Sequence, residues 1–342
     1  LLSAGGTGGH LFPAQFLAQQ LKQYVEILFV AGGLDTTSFF DRCTYSYHDI
    51  PSATFSISHP WNMIRGSCKI AQGVRAARKI LREYQPDLMV GFGSFHTLPV
   101  LLAASWMGIP FILHEQNVMP GKVNRLFAAK ARWNALTFPS TSEYLKGKTQ
   151  LVTMPARPCT TQDPWKYYGW EPGPATLLVY GGSQGAQALN DVMSQIAPRL
   201  SHYRILHFIG AQANLQKIQS CYDQHGITAC VKHFEPNMHL ALSIADLALC
   251  RAGASTICEL VSHTLPALLI PYPHAHNHQL HNAYYFAKTL KGGRYLEQHE
   301  LDEKTLFLAL SDLDLKVCRA HLQEHKKQQI AESFEALILR DL

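Results

Sequence analysis

Two stretches decide the fold: residues 1–10, LLSAGGTGGH, and residues 176–185, TLLVYGGSQG. Each runs from apolar residues into a loop with paired glycines, and helical spacing follows in both cases. Strand, glycine turn and helix form the opening unit of a parallel α/β sheet, so its return in mid-chain predicts two such sheets. Working outward, apolar runs of strand length fall at residues 25–31, 88–92, 110–114, 176–180, 204–209, 246–250 and 267–270, with amphipathic stretches at 13–24, 67–84 and 186–200 between them. Runs without polar alternation belong to strands covered on both faces. The pattern predicts an α/β chain of two Rossmann-like parallel-sheet domains facing a cleft. It breaks at residues 154–173, which hold Pro155, Pro158, Pro164 and Pro172. This linker composition divides the chain into domains 1–157 and 158–327. Residues 317–342 have helical spacing with no strand after them, and 328–342 are expected to pack back on the first domain. The start at Leu1, directly before the glycine loop, predicts a shortened first strand.

With 342 residues, 47% hydrophobic and 16% charged, the chain has material for two ordinary cores. No run of about 18 apolar residues occurs and the start lacks a signal-peptide layout, so a cytoplasmic protein without a membrane span is expected. The 8 cysteines are scattered with no C-x-x-C pair, which predicts reduced thiols rather than a disulfide framework or zinc site. A formal charge of +5 fits phosphate ligands, an anionic membrane or RNA equally.

The chemistry concentrates in loops after strands. In Gly5-Gly6-Thr7-Gly8-Gly9-His10, glycines let backbone N–H groups approach a bound oxygen, and the helix N-terminus favours negative charge. The loop fits neither G-x-G-x-x-G, which needs glycine at Leu11, nor the P-loop, which weakens dinucleotide and ATP readings. In Gly181-Gly182-Ser183-Gln184-Gly185, Ser183 and Gln184 offer polar side chains at the matching position. Next, Arg251-Ala252-Gly253-Ala254-Ser255-Thr256-Ile257-Cys258-Glu259 turns from strand to helix: its amides can face a pyrophosphate and Glu259 a ribose diol, unless Ser255 is simply the helix N-cap. Pro271-Tyr272-Pro273 leads to Asn277, His278 and Gln279 at another strand's carboxyl edge, where open α/β sheets bind ligands. His274, His276 and His278 lack a nearby carboxylate or Cys and are expected to be polar cleft or surface residues, not a metal site. Finally, His114-Glu115-Gln116-Asn117 sets four polar residues on a strand end, a placement that favours sugar or acceptor contacts, with His114 alternatively a core residue.

In this combination and order, residues 5–10, 114–117, 181–185, 251–259 and 279–283 closely resemble the MurG family of GT-B glycosyltransferases, the N-acetylglucosaminyltransferases of the lipid II pathway. The resemblance implies inverting transfer of N-acetylglucosamine from UDP-N-acetylglucosamine to lipid I, undecaprenyl-pyrophosphoryl-N-acetylmuramyl-pentapeptide, giving lipid II for peptidoglycan, hence roles in cell shape and division. It places Thr7, Gly8, Gly9, Asn117, Ser183, the turn from Ala254 to Glu259 and Gln279 at donor-binding positions, with Arg157 as an arginine near the donor. The chain departs from the family at Met154, where Asn is usual, at Asn277, where an acidic residue is common, and in the looser glycine loop at residues 91–95. A base is needed for the acceptor hydroxyl; His10 is the first candidate and Glu115 its rival. Glycine-loop amides, the helix N-terminus and Arg251 are candidates to take the diphosphate without a required cofactor, while the residues leave Mg²⁺ open. Asp312 and Asp314 form a D-x-D far from every motif, expected to be a solvated turn. Competing readings are a UDP-sugar 2-epimerase, a non-catalytic sugar-nucleotide sensor and a nicotinamide oxidoreductase. Residues 59–84 carry an apolar face of Ile70, Val74, Ala77, Leu81 and Tyr84 beside Arg75, Arg78, Lys79 and Arg82, preceded by Trp61, Met63 and Ile64. Such a segment suits either peripheral docking on the anionic cytoplasmic face of the inner membrane or a core helix with a basic flank. No nucleic-acid partner is expected.

Overall fold

Runs of Leu, Val, Ile and Ala without polar alternation become the inner strands of two parallel sheets. The computed structural model describes all residues except 55–59, 156–160, 183–184, 274–276 and 329. Its first strands are β1 (Leu2–Ser3), β2 (Phe29–Ala31), β3 (Tyr47–Asp49), β4 (Met89–Gly91), β5 (Phe111–Glu115), β6 (Trp133–Leu136) and β7 (Thr149–Thr153). They are followed by β8 (Thr176–Tyr180), β9 (Arg204–Phe208), β10 (Ala229–Lys232), β11 (Leu247–Cys250), β12 (Ala267–Leu269), β13 (Gly293–Tyr295) and β14 (Glu332–Ser333). One sheet has the order β14-β7-β6-β5-β4-β1-β2-β3 and the other β10-β9-β8-β11-β12-β13. Chain contacts separate two compact units, Leu1–Arg157 with Ile330–Leu342, and Pro158–Gln329.

In both sheets the chain winds outward from its first strand, crosses back, and winds the other way. β1 therefore lies beside β4, with Leu2 opposite Val90, and β8 beside β11, with Leu177 opposite Leu247. Helices cover both faces. Gly8–Leu21 buries Leu11, Ala14, Leu17, Ala18 and Leu21 against Phe29, Val90 and Ile112 on one side of the first sheet. On the other side, Pro60–Tyr84 and Leu98–Met107 pack around Val30, Met89 and Leu113. Ile70, Val74, Ala77 and Leu81 of the longer helix belong to that core, so the apolar face that suited a membrane is packed inside the protein. A Cβ at Gly73 would lie 2.0 Å from the Pro51 carbonyl oxygen, so the helix approaches that turn as closely as only glycine permits.

Residues 317–342 do not form one helix. Leu315–Gln328 lies against the helix Ala254–Ser262 of the second unit, whereas β14 pairs with β7 and the helix Phe334–Asp341 inserts Phe334, Leu337 and Ile338 into the first unit's core.

Each core contains a fully buried histidine. His114 on β5 stacks on Phe334 at 5.0 Å, with Nε2 3.3 Å from the Thr137 hydroxyl, which settles it as a core residue. His207 on β9 sits between Tyr222 Oη (2.9 Å) and Asn190 Oδ1 (3.1 Å). Burial pushes each imidazole down to about 3. The unfolded chain, with histidine near 6.5, therefore binds more protons than the folded one between these values, and stability is lost as pH falls below about 6.5. Each histidine should remove about 1.4 kcal/mol of unfolding free energy between pH 7.5 and 5.5. Urea titrations at the two pH values should show a loss smaller by that amount in His207→Gln; an unchanged loss would contradict the account.

Candidate active site

The turn after β1 and the turn after β4 meet where the first sheet changes winding direction, the place at which open α/β sheets bind ligands. Thr7, with extended backbone (φ −110°, ψ 162°), is the N-cap of the helix Gly8–Leu21 and makes no side-chain cap bond. Gly8, Gly9 and His10 are thus the helix's first turn rather than part of the preceding loop; His10 N donates to Thr7 O (3.1 Å), while the N–H groups of Gly8 and Gly9 have no helical acceptors. Gly8 is buried, and a Cβ there would stand 2.8 Å from the Phe12 ring.

His10 is held by its Nδ1, 2.8 Å from the Phe92 carbonyl oxygen. A carbonyl only accepts, so Nδ1 carries the proton and the neutral ring has its lone pair on Nε2. The Gln116 amide nitrogen is placed 2.7 Å from the same Nδ1, while Gln116 Oε1 is buried without a partner. Exchanging the amide oxygen and nitrogen makes Oε1 a second acceptor for Nδ1–H.

Glu115 has a different task. It is 3% exposed; Oε1 accepts from Asn117 N (3.0 Å) and Nδ2 (3.4 Å), and Oε2 from Gly121 N and Asn124 Nδ2 (both 2.9 Å). Four donors on one carboxylate stabilise its charged form and frame the turn from Gln116 to Gly121. This arrangement argues against Glu115 as the base: it organises the turn that presents Asn117. The four polar residues at the end of β5 are accordingly divided between a core imidazole, a buried carboxylate, a support for His10 and one half-buried amide.

The second sheet repeats the geometry at the carboxyl ends of β8 and β11. A Cβ at Gly181 would lie 2.4 Å from Ala186 N, and Gly185 takes φ +75° with the Ile209 carbonyl oxygen 2.6 Å from a Cβ position, so this turn closes only with glycine. Ser183 and Gln184, between them, lie outside the described residues, as does Arg157. After β11 the helix Ala254–Ser262 begins from Gly253 as N-cap (φ −64°, ψ 151°) with no side-chain cap, so Ser255 lies inside the first turn and is not the cap. The N–H groups of Ala254, Ser255 and Thr256 open this helix at the strand edge, and Ile257 N makes its first bond, to Gly253 O (3.0 Å). Glu259 follows one turn later and is partly exposed; Ile257 is core, and burial, reinforced by the nearby Glu259 charge, pushes the Cys258 thiol up to about 12.

Arg251 departs from the role expected of it. It is 8% exposed, donating through Nη1 to Ile270 O (3.1 Å) and Pro271 O (3.4 Å) and through Nη2 to Gln298 Oε1 (2.6 Å). Its donors join the end of β11 to the segment after β12, leaving it a fixed positive charge behind the turn rather than a hand extended to a ligand; burial lowers its basicity. Gln279 Oε1 accepts from Ala252 N (3.2 Å) and Tyr272 N (2.9 Å), and Asn282 Nδ2 donates to Ala252 O (3.1 Å). The carboxamide of Gln279 thereby locks two turns together through its oxygen. Asn277, at φ +62°, starts the helix His278–Tyr284 with His278 as its first residue. His274 and His276 lie outside the described residues. Asp312 pairs with Arg294 (3.1 Å) and Asp314 accepts from Lys316 N and Val317 N, so the D-x-D serves a surface ion pair and a helix start. Sequence reasoning assigned no role to the side chains of Asn124, Asn282 and His96: Asn124 holds the turn after β5, Asn282 the Ala252 carbonyl, and His96 packs on the glycine turns after β1 and β2.

Comparison with known proteins agrees with this geometry. The Glycosyltransferase family 28 N-terminal domain matches residues 1–134 and the family 28 C-terminal domain residues 176–340. The chain is 41% identical over 305 residues (86% of this chain, 81% of the relative) to a protein of Protochlamydia amoebophila named UDP-N-acetylglucosamine--N-acetylmuramyl-(pentapeptide) pyrophosphoryl-undecaprenol N-acetylglucosamine transferase. It is 35% identical to a protein of the same name from Chlamydia muridarum, covering 100% of this chain and 98% of that one. Among solved structures, Acinetobacter baumannii MurG superposes with a TM-score of 0.76 at 27% identity, over 99% of this chain and 97% of that one. A kitacinnamycin glycotransferase, at 15% identity and a TM-score of 0.72, shares the fold. With family 28 domains in both units and relatives of one name along its whole length, the chain belongs to glycosyltransferase family 28, in the MurG family of N-acetylglucosamine transferases.

Proposed function

We propose that this protein moves N-acetylglucosamine from UDP-N-acetylglucosamine to an N-acetylmuramyl-pentapeptide carried on undecaprenyl pyrophosphate, with inversion at the anomeric carbon. The observation that carries the reading is the likeness, at 35–41% identity over 86–100% of the chain, to transferases named for that donor and acceptor. The second unit holds the donor: first-turn amides of the helix Ala254–Ser262 face its diphosphate, Glu259 the ribose diol, and Gln279 the sugar hydroxyls. In the first unit, with Nδ1–H anchored to Phe92, His10 Nε2 takes the proton of the acceptor hydroxyl as that oxygen bonds to the anomeric carbon and UDP departs with the bonding pair. Transfer of labelled sugar to a lipid I analogue tests the reading directly. A 2-epimerase would convert the donor without the acceptor.

No helix among the described residues is long and apolar enough to cross a membrane. The acceptor's lipid nonetheless requires a bilayer surface, and the start of the helix Pro60–Tyr84 supplies Trp61 (76% exposed), Met63 and Ile64 with Arg65 and Lys69 exposed beside them. This end, not the core-packed face further along, docks on anionic lipid at the inner membrane.

Glu259→Ala should weaken UDP binding by roughly tenfold or more while the fold remains, because a hydrogen bond to a charged group contributes about 1.5–3 kcal/mol. Calorimetric titration measures this, and wild-type affinity would remove Glu259 from the ribose. His10→Ala should lower turnover by roughly 10²–10⁴-fold with UDP affinity nearly unchanged. If turnover falls only through lost UDP binding, His10 belongs to the donor site instead. Co-sedimentation with phosphatidylglycerol vesicles should weaken at high salt and in the double variant Trp61→Ser/Ile64→Ser; binding that ignores both changes would place the membrane surface elsewhere.

A further inference from the structure

His96 belongs to none of the motifs read from the sequence, yet its ring lies against three glycines from two separate turns. A Cβ at Gly5 would stand 2.7 Å from His96 Cβ, one at Gly6 3.0 Å from Cδ2, and one at Gly33 3.3 Å from Nδ1. Those glycines leave a slot that the imidazole fills. Its Nδ1 lies 3.1 Å from Ser52 Oγ, and a Cβ at Gly32 would overlap that hydroxyl at 2.0 Å. Gly32 N donates to His96 O (3.0 Å), which joins the turn after β2 to the turn after β4. Ser94 holds the other side: despite a left-handed backbone (φ +72°), its hydroxyl donates to Gly5 O (3.0 Å) and accepts from His96 N (3.2 Å). A non-glycine residue keeps such a conformation only where its surroundings fix it.

We propose that His96 is the positioning residue of His10. Its ring wedges the Gly5–Gly6 backbone from one side while Phe92 O, at the start of the same 92–97 turn, holds the His10 ring from the other. The start of the helix Gly8–Leu21 is set between these two grips, and with it the direction of His10 Nε2. The ring is half-buried, and burial lowers its pKa by more than the Gly32 backbone hydrogen bond and the Asp49 charge raise it, so a neutral wedge is the working form near pH 7. His96 touches no reacting atom in this scheme. The proposal rests on His10 as base, and its test separates the two.

The experiment is a double-mutant cycle in the sugar-transfer assay, with kcat and both KM values for wild type, His10→Ala, His96→Ala and the double variant. His96→Ala should lower kcat roughly tenfold with the donor KM within about twofold. In the His10→Ala background it should lower kcat no further, because the residue it positions is gone. His96→Gln, which keeps a hydrogen-bonding group toward Ser52, should recover part of the loss. Losses that multiply in the double variant, or a wild-type kcat in His96→Ala, overturn the proposal. A wild-type kcat in His10→Ala instead overturns the base assignment itself and, with it, a role for His96 through that base. If His96→Ala does not fold, Ser52→Ala, which removes only the hydroxyl at Nδ1, replaces it in the cycle with a smaller expected loss and the same test of non-additivity.

Discussion

Everything at the two candidate loops depends on the reversal of winding in each parallel sheet. Beyond β1 the chain enters a helix on one face of the first sheet, and beyond β4 it enters Leu98–Met107 on the other, so neither helix covers the carboxyl ends of these adjacent strands. The amides of Gly8 and Gly9, at the start of the first of these helices, have no helical acceptor and open toward the crevice. The second sheet makes the same reversal between β8 and β11. A glycine-rich turn on each first strand is the local answer to one topological condition met twice.

What keeps these turns in shape, in each unit, is a set of buried and half-buried polar side chains that bond their backbone. Glu115 gathers four N–H donors, Arg251 reaches two carbonyl oxygens and a carboxamide, and Gln279 and Asn282 clasp Ala252 from both its N–H and its C=O. Satisfied polar networks in a low-dielectric interior are stiff, because moving one member strands the partners of another. The second unit applies the same device at its sheet edge: Glu235 accepts from Tyr167, Tyr168 and Lys232, and Arg204 lies 5.1 Å from both Trp165 and Trp170. Pre-set donors need no reorganisation when charge arrives.

Most strands buried on both faces were legible in the sequence, because core residues in succession, as in β8, leave an apolar trace; β6, an interior strand of Trp133, Asn134, Ala135 and Leu136, was not read, since Asn134 interrupts it. β3, β10 and β13 were not, since a flank position lets residues such as Tyr47, Lys232 and Arg294 stand in a strand with part of their surface in water. Glycine loops announced themselves by composition. The occupations of individual polar side chains did not: four polar residues after a buried strand looked like ligand contacts, but Glu115 answers to Gly121 and Asn124 of its own turn, and Arg251 to carbonyls brought over by β12. His96 was hidden for a similar reason. Its slot is built from glycines at 5, 6 and 33, whose meeting is a property of strand order rather than of spacing.

The first unit is discontinuous, and this has a consequence for how the protein is made. β14 completes the edge of its sheet beside β7, while Phe334 lies across His114 and Phe92 in the middle of its core. A ribosome that has reached residue 157 has synthesised nearly all of that sheet but none of the segment that closes it, and all of Pro158–Gln329 must be synthesised first. During that interval the apolar surface awaiting Phe334, Leu337 and Ile338 is open, a state in which partly folded chains associate. The second unit has no such debt and can close as soon as it emerges, so order of synthesis and order of completion run in opposite directions along this chain.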